Sequence, residues 1–308
     1  MYNNEIKERY IIEKESTTSV PKGFLLKQFN KAQTFETSEG KDLCNFTKHE
    51  ILNMYKTFNT SSLNFLTVIN SHFSLYTQWC LYQNLVDDCQ NHFAEIQRDN
   101  LTLCINMLGI KKATITRNVL RNWIQQMPNP ADAFIMIALF EGIKGKEFCE
   151  IVNLKMSDFD GNKVKLCTGR ELVVSDELVN LAAISDQTYE YYSISGKGEK
   201  IVKLNDENLI IKNYPNVEPI TDTFQIGRRI YRRLLRSYDY LGVSAWMKPN
   251  SLVESGKIDY INRRSKELGM TAREYLFSPY VKEVEDRYGY DMSRLKLSFL
   301  SKYEDFLE

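Results

Sequence analysis

The stretch that decides the fold runs Ala138-Leu-Phe-Glu-Gly-Ile-Lys-Gly-Lys-Glu-Phe-Cys-Glu-Ile-Val-Asn-Leu-Lys-Met-Ser-Asp-Phe-Asp160. Its first residues end an apolar run, 134–140, which predicts a helix. Asn129 and Pro130 precede this helix and are typical of an N-cap and a first helical position. After the helix come a glycine, a lysine, a glutamate and the ending Leu-Lys-Met-Ser-Asp-Phe.

This pattern resembles the first catalytic box of the tyrosine recombinases, or phage integrases. That family has an apolar helix, then Gly-Leu-Arg-x-Ser-Glu-Leu, then Leu-x-x-x-Asp-Ile/Val. Gly142, Glu147 and residues 154–159 match the box, but Lys144 stands where the family has its first catalytic arginine. A recombinase frame that lacks this arginine implies DNA binding without strand transfer.

The elements after the box also follow the family's order. Residues 162–174 alternate apolar and polar side chains around Thr168-Gly169, which predicts a β-hairpin. Ser175 is typical of an N-cap and predicts a helix next. We therefore expect a mainly α (α+β) protein with the two-domain, tyrosine-recombinase-like architecture, including a small hairpin or sheet.

Composition and periodicity divide the chain into three parts. Residues 1–45 are polar and punctuated by Ser, Thr, Gly and Pro, which predicts an N-terminal arm or a loosely packed lead-in. Apolar residues recur at helical spacing in 46–110, which predicts the family's helical core-binding (SAM-like) domain. Residues 111–308 are predicted to form the catalytic-like domain, with a hinge at 108–113.

The composition is that of an ordinary globular protein: 308 residues, 43% hydrophobic and 26% charged. The longest apolar run is far shorter than the roughly 20 residues that cross a bilayer. The first residues lack the apolar segment of a signal peptide. We expect a cytosolic, DNA-associated protein with no membrane contact. The net charge is zero, so nucleic-acid affinity must come from local clusters.

Cysteine and histidine spacing predicts neither a metal site nor a cofactor. No C-x-x-C pair occurs, and the cysteines are expected to be buried thiols. They are Cys44, Cys80, Cys89, Cys104, Cys149 and Cys167. The three histidines, His49, His72 and His92, lack metal-ligand spacing.

The family's second box, Pro-His-x-Leu-Arg-His, has lost its charged and histidine positions here. Its frame survives in the segment 248–254, where Asn250, Val253 and Glu254 replace His, Arg and His. A glutamate beside a phosphate would repel it. Ser251 and Glu254 have instead the spacing of a capping box at a helix start. No histidine follows His92, so no shift of the alignment restores the box.

The remaining catalytic groups of the family are missing or cannot be assigned. Near the hairpin turn, where the family has a lysine, this chain has Arg170, whose pKa is too high for it to donate a proton. The region of the nucleophile contains four of the chain's 18 tyrosines. They are Tyr275, Tyr280, Tyr288 and Tyr290. We assign no catalytic residue.

Five arginines within nine positions predict a DNA-binding helix. They are Arg228, Arg229, Arg232, Arg233 and Arg236. The i, i+4, i+8 spacing predicts one basic face, while the leucines and isoleucine between them point toward a core. Thr221-Asp222 would cap the helix. In the family the corresponding helix meets the major groove and the DNA backbone.

Three smaller sets of basic residues are further candidate DNA contacts. Lys144 and Arg170 retain positive charge near the recombinase boxes, and four cations cluster at the predicted hinge. The four are Lys111, Lys112, Arg117 and Arg121. Arg263 and Arg264 begin a segment that resembles a helix-turn-helix, in which Gly269 ends one helix and Thr271-x-x-Glu274 caps the next.

These observations favour a sequence-specific DNA-binding transcriptional repressor on an inactive tyrosine recombinase fold, with double-stranded operator DNA as its partner. The layout is similar to that of the YopR/MrpR lysogeny repressors of SPbeta-group Bacillus phages, which implies a role in phage lysogeny. Two alternatives stay open: an active integrase with an atypical site, and a protein–protein interaction module without DNA binding. Homo-oligomerisation and a phage regulatory protein partner also stay open.

Overall fold

The computed structural model describes residues 1–15, 21–194, 200–215, 223–243, 245–292 and 295–308. The chain divides into two compact units, Met1–Gly109 and Ile110–Glu308. Helix α6 (Met107–Ala113) contains the point of division, so the segment predicted as a hinge is helical.

The first unit is a helical bundle that includes the residues predicted as an arm. Its helices are α1 (Asn4–Glu15), α2 (Lys22–Glu39), α3 (Lys48–Thr57), α4 (Leu63–Tyr82) and α5 (Arg98–Thr102). The prediction of an arm is wrong, because α1 and α2 place Tyr10, Ile11 and Phe29 in the core of this unit. Lys7 and Glu36, both fully buried, form an ion pair between the two helices. Buried charges make these helices look polar in the sequence.

The second unit is built around one buried helix. Its first elements are α7 (Arg117–Gln126), α8 (Pro130–Phe140), α9 (Cys149–Val152), β1 (Phe159–Asp160), β2 (Lys163–Lys165), β3 (Glu171–Val173) and α10 (Asp176–Asp186). Every residue of α8 after Pro130 is buried. Asn129 precedes α8 as predicted, but its side chain bonds Asp132 and the backbone of Tyr192 and caps no helical N–H group.

The predicted hairpin is confirmed as β2 and β3, which pair antiparallel with Val164 opposite Leu172. Strand β1 extends the sheet to three strands. A second antiparallel pair consists of β4 (Glu190–Tyr192) and β5 (Ile201–Lys203). Ser175 caps α10 as predicted by accepting a hydrogen bond from the Leu178 N–H at 3.2 Å.

Five helices complete the second unit: α11 (Thr223–Tyr240), α12 (Pro249–Glu267), α13 (Ala272–Phe277), α14 (Val281–Tyr288) and α15 (Lys296–Tyr303). Helices α7, α10, α11 and α12 pack around α8. Gly256 allows α12 to approach closely, because a side chain there would collide with the Phe140 carbonyl. This approach sets the start of α12 beside the loop that follows α8. The predicted mainly helical architecture with small sheets is confirmed.

The expectation of buried thiols holds for Cys44, Cys80 and Cys104 only. Cys89 and Cys167 are exposed, and Cys149 is half-buried. The described residues contain no group of three or more His, Cys, Asp or Glu side chains that could hold a metal ion. None of the helices in the described ranges is long and apolar enough to span a membrane.

Candidate nucleic-acid interface

Helix α11 has an apolar inner face and a basic outer face. Ile230 and Leu234 are buried, whereas Arg228, Arg232 and Arg236 are exposed. Eight residues of α-helix rise about 12 Å, so the three arginines form a row of about that length. Among the described residues, no acidic side chain forms an ion pair with any of the three. The predicted cap, Thr221-Asp222, lies outside the described residues.

Arg233 does not belong to the exposed face, and its prediction as a DNA contact is wrong. It lies about 100° around the helix from Arg232 and is buried against α8. Its Nε donates to Asp132 Oδ1 at 2.7 Å, and its guanidinium lies 4.9 Å from the centre of the Tyr191 ring. Burial lowers the pKa of Arg233, but Asp132 outweighs burial and the pKa is raised. Arg229 is half-buried, and its Nη1 donates to Asn213 Oδ1 at 3.3 Å.

The replaced positions of the two recombinase boxes meet in space. Lys144 Nζ donates to Asn250 Oδ1 at 2.8 Å, although 106 residues separate them in the chain. Burial and the nearby Lys257 ammonium lower the pKa of Lys144. The box lysine therefore has an amide oxygen as a partner, where the family has an arginine and a histidine that face phosphate.

The capping box predicted from Ser251 and Glu254 is wrong, because Pro249 starts α12 earlier than that spacing assumed. Ser251 Oγ instead accepts a hydrogen bond from the Lys248 N–H at 3.1 Å. Glu254 pairs with the buried Lys257 at 3.0 Å. The sequence analysis did not identify Lys257. Its i, i+3 spacing from Glu254 on a helix would have indicated an ion pair between the two.

Of the four candidate tyrosines, Tyr290 has its ring nearest to the Lys257 ammonium. Its ring centre lies 3.9 Å from the Lys257 Nζ, and its side chain is 41% exposed. Burial and the carboxylates of Glu254 and Asp291 raise its pKa, which disfavours the phenolate. The hydroxyl groups of Tyr288 and Tyr275 donate to the Phe140 carbonyl and to Glu283. Tyr280 stacks on Tyr275.

Arg170 is half-buried and is held by other groups of this unit, and its role as a DNA contact stays a prediction. Its Nε and Nη2 donate to the two carboxylate oxygens of Glu150 at 2.9 and 2.5 Å. Its remaining N–H groups reach the carbonyls of Gly142 at 2.9 Å and Arg287 at 2.7 Å. Glu150 is 1% exposed, so this pair is largely shielded from water.

Arg117 is also held inside the second unit. Its Nη1 contacts Glu141 at 3.0 Å and its Nη2 contacts Asp259 at 3.1 Å, which leaves little charge for a phosphate. The other three candidates near the unit boundary are more exposed. Lys111 pairs with Asp305, Arg121 pairs with Glu177, and Lys112 is exposed.

The turn and the helix cap predicted between 269 and 274 are present between α12 and α13. Gly269 adopts a φ of +68°, and Thr271 and Glu274 form both bonds of the capping box. Arg264 is held by Glu283 through Nε and Nη2 at 2.8 and 3.0 Å, so its guanidinium already has a partner in this unit, and its role as a DNA contact stays a prediction. Arg263 is half-exposed and pairs with Glu267.

Comparison with known proteins identifies the family. A family model described as "MrpR, C-terminal catalytic domain" matches residues 114–307, and one described as "MrpR, N-terminal core-binding domain" matches residues 1–83. The SPbeta prophage-derived uncharacterized protein YopR of Bacillus subtilis (strain 168) is 25% identical over 285 residues, which is 88% of this chain and 84% of that protein.

Solved structures of integrases resemble the chain along almost its whole length. A lambda integrase (75–356) dimer bound to a COC′ core site covers 96% of this chain and 94% of its own, at 13% identity and a TM-score of 0.44. The Tn1549 transposon integrase in complex with circular intermediate DNA has the same coverage, at 12% identity and a TM-score of 0.47. Because the C-terminal family match alone spans more than half of the sequence, the chain belongs to the MrpR family.

Proposed function

We propose that this chain is a sequence-specific DNA-binding repressor of transcription that keeps the recombinase fold, does not transfer strands, and maintains phage lysogeny. The observation that carries the proposal is the exposed row of Arg228, Arg232 and Arg236 on α11. Phosphate contacts by such guanidinium groups supply most of the affinity of proteins for DNA. Guanidinium groups also recognise guanine edges in the major groove, which provides sequence preference.

The case for DNA is strengthened by how charge is distributed within the second unit. The chain has 40 basic and 40 acidic residues, so no global field attracts a polyanion. The buried acidic side chains described in the second unit are paired with arginines, among them Arg117, Arg170 and Arg233. Within the described ranges no acid pairs with the exposed row on α11, and a row of positive charge of this kind suits a phosphate backbone.

The groups around Lys144 support the proposed absence of strand transfer. Phosphoryl transfer needs cations placed where negative charge develops on the phosphorus centre. Lys144 is hydrogen-bonded to Asn250, and a carboxylate, Glu254, replaces the second histidine of the family pattern. An ammonium group also lacks the planar, two-pronged contact of arginine.

The regulatory role rests on the relationship to YopR, which is described as SPbeta prophage-derived. A protein that recognises a DNA sequence without cutting it acts by occupying that sequence. Occupancy of a phage promoter would exclude polymerase and hold the phage genes silent. We therefore propose operator sites within phage promoters.

A genome-wide map of bound DNA, followed by fluorescence anisotropy on the recovered sites, tests this proposal. Arg232→Glu should abolish specific binding, because it places a negative charge in the phosphate-facing row, whereas Arg232→Lys should bind with reduced affinity. Lys282→Ala is the matched control, since Lys282 is 67% exposed on α14, outside the proposed interface. Unchanged binding by Arg232→Glu, or bound sites confined to an attachment site, would contradict the proposal.

A second candidate function, strand transfer by Tyr290, is favoured by one observation. Tyr290 is partly exposed beside the Lys257 ammonium and near Glu254. A suicide DNA substrate with a nick at the cleavage position would trap a covalent adduct if Tyr290 were a nucleophile. We expect no adduct with the native chain. An adduct that Tyr290→Phe abolishes would establish strand transfer instead.

A further inference from the structure

Two cysteines, Cys149 and Cys167, contact one another in the second unit. Neither belongs to the proposed DNA interface or to the Lys144–Asn250 contact. Cys149 begins α9, and Cys167 lies in the turn of the β2–β3 hairpin. Cys167 Sγ donates to the Cys149 carbonyl oxygen at 3.4 Å. This contact places the Cys167 side chain against the first residue of α9.

Neighbouring contacts hold this pair in place. Glu150 follows Cys149 in the chain, and Thr168 follows Cys167. Thr168 Oγ1 donates to Glu150 Oε1 at 2.5 Å, and Arg170 binds both oxygens of the same carboxylate. On the other side, Cys149 Sγ packs against Gly145, where any side chain would collide with the sulfur. The hairpin turn and the start of α9 are therefore fixed to each other.

The two thiols differ in environment. Cys167 is exposed and lies on a surface groove that Lys155 and Lys165 also line. The thiolate is the reactive form of cysteine, and exposure gives an oxidant access to the Cys167 sulfur. Cys149 is half-buried, and its pKa is raised by burial, by the Cys167 thiol and by Glu150. An exposed thiol beside a shielded one is the arrangement of an attacking and a resolving cysteine.

We propose that Cys149 and Cys167 form a dithiol that a hydroperoxide oxidises to an intramolecular disulfide. The Cys167 thiolate attacks the terminal oxygen of hydrogen peroxide, the O–O bond breaks, and hydroxide leaves and takes up a proton to form water. Cys167 is then a sulfenic acid. Cys149 sulfur attacks the Cys167 sulfur, the S–O bond breaks, and the Cys149 proton leaves with the hydroxide as a second water. Two electrons pass from the two thiols to the peroxide.

Peroxide treatment of the full reduced chain, followed by alkylation and peptide mass spectrometry, tests the proposal. We expect one linked peptide pair containing Cys149 and Cys167, lighter by two hydrogen atoms and restored by dithiothreitol. Cys89 is the internal control, because it is exposed as well and lies in the other unit. It should remain alkylatable under the same dose.

Two variants separate the roles of the sulfurs. Cys167→Ser should leave Cys149 reduced under the same dose. Cys149→Ser should accumulate a sulfenic acid on Cys167 that a dimedone probe captures, because the resolving thiol is gone. Cys89→Ser should behave as the native chain. A native chain without the linked peptide, or with Cys167 linked between two molecules, overturns the proposal, and so does dimedone labelling of Cys89 in place of Cys167.

Discussion

Arg232 and Arg233 are neighbours in the sequence and have opposite environments. Arg232 is exposed on the outer face of α11, whereas Arg233 is buried beneath it and pairs with Asp132 of α8. The two residues have the same chemistry and the same local sequence. Consecutive residues of a helix are rotated by about 100° around its axis. This rotation decides whether the guanidinium faces solvent or a carboxylate of the core.

The same division separates the other arginines predicted to bind DNA. Arg117, Arg170 and Arg264 each contact carboxylates in the second unit through more than one nitrogen or to more than one acid. Arg228 and Arg236 are exposed like Arg232. A cluster of basic residues in a sequence is therefore a mixture of structural cations and surface cations, and each kind should respond to mutation in its own way.

The largest effect on the free energy of unfolding is expected from Arg233→Ala. Removing the guanidinium leaves the buried Asp132 carboxylate without its partner, and breaking a buried pair in this way costs about 3–5 kcal/mol. The free energy of unfolding, measured by urea denaturation, should fall by that amount. Arg232→Ala, one residue away, should change it by less than about 0.5 kcal/mol.

A rescue variant tests whether charge burial is the cause. Combining Asp132→Asn with Arg233→Met removes both charges and should recover much of the lost stability. If the single and double variants were equally unstable, packing of the arginine stem would be the cause and the contrast between the two arginines would not be electrostatic.

The second prediction concerns the exposed row. Replacing Arg228, Arg232 and Arg236 together by alanine should weaken DNA binding and leave the free energy of unfolding almost unchanged. If each arginine contacts one phosphate, the slope of log affinity against log salt should become shallower by about 2.7. Anisotropy titrations at several salt concentrations measure the slope. An unchanged slope would remove the row from the DNA interface.

The sequence predicted what depends on local spacing. Helical periodicity placed Ile230 and Leu234 inward and Arg232 outward, and the caps at Ser175 and Thr271 were found because their partners are three residues away. The hairpin followed from alternation around a glycine. In each case the physical cause lies within one turn of the chain.

The contacts that the sequence did not predict join residues that are far apart in the chain. Asp132 is 101 residues from Arg233, and Lys144 is 106 residues from Asn250, so no local pattern contains these bonds. The prediction of an arm at residues 1–45 is wrong because it rests on the polar composition of this segment. Lys7 and Glu36 add to that polar composition, although they form an ion pair inside a core. The sequence therefore located the basic helix correctly and overestimated how many of its arginines lie on the exposed face.

The third prediction concerns a smaller effect, the pH dependence of the stability that the Glu150 carboxylate contributes. Burial raises the pKa of Glu150, but the bonds from Arg170 and Thr168 outweigh burial and hold the pKa below its ordinary value. A carboxylate with a lowered folded-state pKa contributes its full stability above the unfolded pKa of about 4.3, and loses it as pH falls through the folded value.

Unfolding free energies measured between roughly pH 6 and pH 3 check this contribution. The native chain should lose more stability on acidification than Arg170→Met, in which the unpaired Glu150 is destabilising while charged and is relieved by a proton. Parallel curves for the two chains would show that the Arg170 pair does not titrate in this range.

The smallest effect on stability is expected at Arg121, a surface counterpart of Arg233. It pairs with Glu177 at 3.0 Å, but its own side chain is 50% exposed. Exposed pairs contribute less than about 1 kcal/mol, so urea denaturation of Arg121→Ala should lie within that limit. Because the pair is weak, Arg121 can exchange Glu177 for a DNA phosphate at little cost. Arg121→Ala should therefore make the salt slope of DNA binding shallower by about 0.9 while the fold is unaffected. A stability loss as large as that of Arg233→Ala would mean that exposure does not distinguish structural from surface arginines in this protein.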